Sequence, residues 1–209
     1  MKVLAVVSQK GGSGKSTLAV NLAVAAQGPR SPVVIIDADP QGSAITWRRQ
    51  REAETPTVTE GIPGQLQQLV SLCRDNGAGL VIIDTPPHAS TAEGVIREAA
   101  GVADLVVIPT RPALFDITAV AASVELVQVL KRPAVFILNA VPVRGPMEEA
   151  ARVALSGYKL STCPAPLSQR AAFANAAIVG QAVVEYEPKG KAAGEVARVW
   201  RWLRRKIGA

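Results

Sequence analysis

Aromatic residues, histidine and cysteine are scarce in this chain. Three Trp, two Tyr and three Phe in 209 residues leave the core to be built from Val, Ile, Leu and Ala, the usual filling of a buried parallel sheet covered by helices. The two cysteines, Cys73 and Cys163, stand far apart and in no C-x-x-C pattern. That argues against a disulfide framework or a cysteine-bound cluster and fits reduced, buried thiols in a cytoplasmic protein. His88 is the only histidine; without a second His or Cys nearby it reads as a loop residue with no metal or catalytic duty. No apolar run is long enough to span a bilayer, and Val3–Val7 is too short for a signal sequence. Internal repeats and low-complexity linkers are missing too. Residues 1–209 are therefore expected to form a single domain, with no separate N-terminal unit before the glycine-rich loop that follows the first strand.

Charge is present but unevenly placed. The net charge is +6. From Lys189 onward, seven Lys and Arg face Glu195 alone, so this last segment accounts for all of it. Such asymmetry points to a polyanion or a membrane surface as partner; the plain alternative is a solvated helix face.

Apolar runs ending in acid or amide set the architecture. Val3–Val7, Val33–Asp37, Leu80–Asp84, Leu105–Pro109 and Ala134–Leu138 read as strands, with helices over Lys15–Ala26 and from Gly64 to about Asn76. The charged, Thr/Glu-rich stretch from Arg48 to Glu60 reads as an exposed helix end and loop. Strands alternating with helices predict an α/β fold: a mostly parallel twisted sheet flanked by helices on both faces. Ligands in such sheets bind at the carboxyl ends of the strands, where Asp37, Asp39, Asp84 and Asn139 fall.

SQKGGSGKST, from Ser8 to Thr17, lies between a strand and a helix. It is read as a phosphate loop of the G-x-x-x-x-G-K-[ST] type. Gly11, Gly12, Ser13 and Gly14 let successive backbone N–H groups face phosphate oxygens, and the helix beginning at Lys15, Ser16 and Thr17 adds its N-terminal partial charge. Lys15 is expected to reach the β- and γ-phosphates and the Ser16 hydroxyl to bind Mg²⁺. Asp39 and Asp84 are expected at the pocket edge, holding Mg²⁺ through water or orienting the attacking water. A second lysine, Lys10, precedes the glycines.

K-G-G-S-G-K-S-T, then D-A-D-P-Q-G, then I-I-D-T-P-P resembles the motif order of the ParA/MinD family of deviant Walker A ATPases, P-loop NTPases. ADLVVIPTRPALFDI and GQAVVEYEPKGKAAGEV continue the likeness over nearly the whole chain. It is greatest to the small ParA proteins that lack an N-terminal DNA-reading extension. The resemblance implies an ATP hydrolase using ATP and Mg²⁺, in which two subunits sandwich two ATP molecules. Lys10 matches the signature lysine that reaches across that homodimer; a cation placed there would stabilise charge on the γ-phosphate. Lys10, Lys15 and Asp39 are thus implied as the catalytic group. Asn139 resembles the adenine-recognising position, and Pro188 falls in a segment near the base in relatives.

Relatives divide by the surface that ATP controls: nonspecific DNA in ParA types, membrane in MinD types. In GEVARVWRWLRRKIGA, Val196, Val199, Trp200, Leu203 and Ile207 share one helical face at about 100° per residue. Trp202 falls among the basic residues. It is free to stack, to sit in lipid headgroups or to pack on a neighbouring helix, and packing is the simplest reading. Too little chain follows the last core helix for a dedicated membrane tail, so DNA is favoured over membrane. The expected contacts are Arg170 together with Arg201, Arg204, Arg205 and Lys206. The resemblance further implies a ParB-like or other activating partner protein, a cargo (plasmid, chromosome origin or protein assembly) and a cytoplasmic, nucleoid-associated protein. The rivals are a MinD-like membrane-cycling regulator and a metabolic ATP-dependent ligase of the same superfamily.

Overall fold

The computed structural model describes residues 1–28, 31–87 and 93–208; His88 lies outside them. In chain order the elements are β1 (Lys2–Val6), α1 (Lys15–Ala26), β2 (Val33–Asp37), α2 (Ser43–Gln50), β3 (Thr57–Glu60), α3 (Leu66–Asp75), β4 (Leu80–Asp84), α4 (Glu93–Val102) and β5 (Leu105–Thr110). Then follow α5 (Leu114–Val129), β6 (Ala134–Leu138), α6 (Met147–Ser156), β7 (Ser161–Thr162), α7 (Ala171–Ile178), α8 (Val183–Tyr186) and α9 (Lys191–Ile207). The strands form one sheet in the order β3-β2-β4-β1-β5-β6-β7, and every pairing is parallel.

Alternation along the strands feeds two cores. In β1, Val3 and Ala5 face one layer with Ile36, Val81, Ile83, Val106, Ile108 and Phe136, covered by α3, α4, α5 and α6. Leu4 and Val6 face the other with Ile35, Ile82, Val107 and Ile137, covered by α1, α2, α7, α8 and α9. Both faces are buried, so the strands read as continuous apolar runs. Helix α9 joins the second layer because Val196, Val199, Leu203 and Ile207 recur at three- and four-residue spacing on its buried side. It ends at Gly208, whose φ of +64 supplies the left-handed stop. Trp202 packs partly buried against the same layer, with the Lys206 ammonium 5.2 Å from its ring centre.

The stretch from Arg48 to Glu60 departs from expectation. Thr57–Glu60 is a strand, β3, paired with β2 at the sheet edge. Its β-branched Thr57, Val58 and Thr59 favour a pleated surface, a signal that the surrounding Glu and Arg obscure. Arg51 is buried. It donates to Glu185 at 2.6 and 2.7 Å, to the carbonyls of Thr55 and Gly180, and lies over the Trp47 ring. Gly180 at φ +66 permits this: a Cβ there would collide with the Gln50–Arg51 backbone. The short strand β7 was also not legible, being only two residues long.

Candidate functional site

Strand register assembles the phosphate end of the sheet. Asp37, at the end of β2, stands opposite Asp84, at the end of β4, which in turn stands opposite Val6 of β1. The loop leaving β1 therefore opens directly beside both carboxylates. Counting back from Gly14, the first glycine of a complete G-x-x-x-x-G-K-[ST] match would fall at residue 9, which is Gln9. The loop is thus the shorter K-G-G-S-G-K-S form, a correction to the reading above. Gly12 (φ +74) and Gly14 (φ +87) make its turn. A Cβ on Gly14 would run into the side-chain amide of Asn139. Gly11 and Gly12 are exposed, Ser13 is buried, and Ser16 and Thr17 begin α1 behind Lys15.

The three acids separate by environment. Asp37 is buried; its carboxylate accepts from the backbone N–H groups of Asp39 at 3.3 Å and of Ile45 at 3.0 Å. It anchors the start of α2, a structural task that its strand-end position alone did not disclose. Burial raises its pKa, and those N–H groups resist the rise. Asp39 is half-buried and accepts from Gln41 N–H at 3.0 Å. Asp84 is wholly buried, and neither carboxylate oxygen has a hydrogen-bond partner among the described residues. Burial pushes its pKa up to about 7; the nearby Ser16 hydroxyl and Lys15 oppose this, while Asp37 and Asp39 add to it. Lys15 is itself buried. Burial lowers its pKa, with Asp84 and Asp39 pulling the other way.

An orphaned buried carboxylate is costly unless something charged completes it. Asp84 beside Ser16, with Asp39 at the rim, is a hard-oxygen set of the kind that holds Mg²⁺ together with phosphate oxygens and water. Among the described residues no three His, Cys, Asp or Glu side chains gather into a self-sufficient metal cage. The donor set therefore fits an ion that arrives with phosphates.

Lys10 lies apart from Lys15. Its ammonium pairs with Asp116 of α5 at 2.5 Å, and its side chain stays 39% exposed while that of Asp116 is buried. Just before Asp116, Leu114 and Phe115 are 71% and 77% exposed. Asp116 was not singled out from sequence, because its partner lies 106 residues away.

On the other flank of the loop is an open cavity of about 240 Å³ lined by Gly14, Thr17, Arg111, Asn139, Arg170 and Phe173, among others. The Asn139 amide donates to the Ser13 carbonyl at 2.7 Å. Pro188 does not line this cavity; it is exposed in the turn between α8 and α9. Arg170 is engaged by Glu195 of α9, at 2.7 and 3.1 Å, with its side chain 21% exposed. Arg201 and Arg205 line a second, open cavity of about 350 Å³ together with Arg198, Trp202, Pro164 and Pro166. None of these three arginines has a carboxylate partner among the described residues. Lys206 turns away toward Ser161 at 3.4 Å, and Arg204 is exposed but does not line the cavity. The spacing of 198, 201 and 205, which is i, i+3 and i+7, was the signal that would have put Arg198 in this group.

Residues 4–176 match the family described as the CobQ/CobB/MinD/ParA nucleotide binding domain. The chain belongs to this family. A protein of Gloeobacter kilaueensis named maintenance of carboxysome distribution protein A is 38% identical over 126 residues, 59% of this chain and 56% of that protein. Its namesake in Halothiobacillus neapolitanus is 26% identical over 201 residues, 92% of this chain and 91% of its own length. Protein ParA of Rhizobium radiobacter is 35% identical over 127 residues, 60% of this chain and 56% of that one. The match thus spans little more than half of the Gloeobacter and Rhizobium proteins. The cell division ATPase MinD of Pyrococcus furiosus superposes with a TM-score of 0.77 at 18% identity, covering 98% of this chain and 99% of that one. An ATP complex of Cyanothece McdA gives 0.75 at 17% identity, covering 100% and 96%. Among the described residues of this ParA/MinD-family chain, no helix is long and apolar enough to cross a membrane.

Proposed function

We propose that this ParA/MinD-family protein hydrolyses ATP with Mg²⁺, closes into a face-to-face dimer when ATP is bound, and in that state binds DNA without sequence preference to position a cargo. The observation that carries the reading is the contrast between its two loop lysines. Lys15 is buried among Asp84 and Asp39, poised for phosphates of its own subunit. Lys10 stands out beside the exposed Leu114 and Phe115, a surface suited to a second copy of the chain. Lys10 must leave Asp116 to reach across. Mg²⁺, when bound, would draw charge from the β- and γ-phosphate oxygens. Ser16 and Asp84 would hold it, Lys15 and the loop N–H groups would bind the phosphates, and Asp39 would orient the water that attacks the γ-phosphorus. The bond to the β-phosphate oxygen then breaks, releasing ADP and phosphate.

The DNA surface is assigned to α9, chiefly Arg198, Arg201 and Arg205, whose guanidinium groups have no carboxylate partner among the described residues and suit phosphodiesters. Arg170 would join it only on leaving Glu195. The two relatives named for carboxysome distribution put a protein assembly among the cargo classes to consider, beside the plasmid or chromosome that the family resemblance implies, with a partner protein proposed to stimulate hydrolysis. The protein would then work in the cytoplasm, on the nucleoid. The test is fluorescence anisotropy of a random-sequence duplex with Mg²⁺-ATP, with ADP and without nucleotide, across salt concentrations. Binding confined to ATP and weakening steeply with salt is the expected result. No binding in any state would sink the DNA assignment and direct the arginine face to anionic vesicles.

A further inference from the structure

Glu195 is the buried acid of α9, the one acidic residue in the otherwise basic C-terminal segment. It faces inward. Its carboxylate accepts from Ser168 N–H at 3.0 Å, the Ser168 hydroxyl at 2.9 Å, and Arg170 at 2.7 and 3.1 Å. Burial alone would raise its pKa, but the hydrogen bonds from Arg170 and Ser168 hold it below the usual carboxylate value. The carboxylate is therefore charged and fully engaged.

What it grips is a wall of the cavity beside the phosphate loop. Ser168, Gln169 and Arg170 line that cavity. The same strip is laced to the segment following β6: Leu167 N–H donates to Leu138, Val141 N–H to Leu167, and Gln169 N–H to Val141, at 2.8 to 3.0 Å. Between Leu138 and Val141 sits Asn139, whose amide holds the Ser13 carbonyl. A path of hydrogen bonds joined by adjacent backbone residues thus runs from α9 through the cavity wall to the phosphate loop.

We propose that Glu195 is a positioning residue for nucleotide recognition, setting the Ser168–Arg170 wall and, through it, Asn139 against the phosphate loop. The inference rests on the cavity receiving the nucleoside part of ATP. The carboxylate touches neither phosphate nor base. It acts through the wall, so it governs how well a nucleoside is received and not how well phosphates are held.

Isothermal titration calorimetry with ATP and with inorganic tripolyphosphate, both with Mg²⁺, separates these. Tripolyphosphate uses the loop alone. In Glu195→Gln a side-chain N–H₂ replaces one acceptor and meets donors. ATP affinity should fall about tenfold, the loss of one charge-assisted hydrogen bond, while tripolyphosphate affinity holds within about twofold. Glu195→Asp, which keeps the charge, should fall between and serves if the glutamine variant does not fold. Equal loss of both probes, or loss of neither, in a variant with native circular dichroism overturns the positioning role and leaves Glu195 a structural staple. Wild-type protein that binds tripolyphosphate as tightly as ATP shows instead that the cavity takes no nucleoside, and the proposal falls with that reading.

Discussion

Around the phosphate loop most of the charged groups are buried and both signs are present; on the outer face of α9 they are exposed and of one sign. Lys15, Asp37 and Asp84 are almost wholly removed from water, so their protonation depends on one another and on whatever binds. Arg198, Arg201 and Arg205 remain in solvent. On the function proposed above, the first region would recognise one small, highly charged ligand in one geometry. The second suits a long anion in many registers, and salt should weaken it. Removing one charge from the first should therefore act like a switch, and removing one from the second like a dial.

The largest effect is expected from Lys15→Ala, which should weaken ATP binding by at least about a hundredfold, as loss of a buried charge-assisted contact requires; calorimetry that finds affinity retained would break the assignment. Lys10→Ala should leave ATP affinity near wild type while ATP turnover drops about a hundredfold, in the range for a lost charge-stabilising group. Unchanged turnover would erase the distinction between the two lysines. The triple variant of Arg198, Arg201 and Arg205 to Ala should lower the slope of log affinity for DNA against log salt by roughly one per lost phosphate contact. An unchanged slope would move the polyanion surface elsewhere.

A pH series on nucleotide-free protein with a chelator tests the buried side alone. The Asp84 pKa is raised in the fold to about 7 from an ordinary 3.8. Between those values the folded state holds more protons than the unfolded one, so stability falls as pH rises from 4 to 7, by a few kcal/mol at most. Asp84→Asn should flatten that slope in urea titrations; an unaltered slope would place the proton on another group. The smallest effect is expected from Lys206→Ala. Its ammonium lies over Trp202, and it does not line the cavity of Arg198 and Arg205. A loss of DNA affinity of only about twofold is expected, since exposed charges contribute little singly.

Much of the frame was legible because it is written in short-range pattern. Strands β2, β4 and β6 and helix α1 start and stop where apolar runs, acids and glycines mark them. Strand β3 was missed because Thr57–Glu60 is short, edge-placed and set among charges, so propensity alone had little to separate it from a loop.

The sequence by itself determined the α/β order, the phosphate loop and its two lysines, and the acids at the strand ends, because each rests on neighbours in the chain. Only the tertiary structure decided what those acids do. Asp37 ties down α2, while the buried Asp84 carboxylate finds no hydrogen-bond partner among the described residues. Lys10 waits on Asp116 from 106 residues away, Asn139 holds Ser13 across 126, and Arg51 binds Glu185 across 134. Such partners are chosen by strand order and helix packing, which bring distant residues into low-dielectric contact where a missing partner is costly. No spacing along the chain encodes that choice.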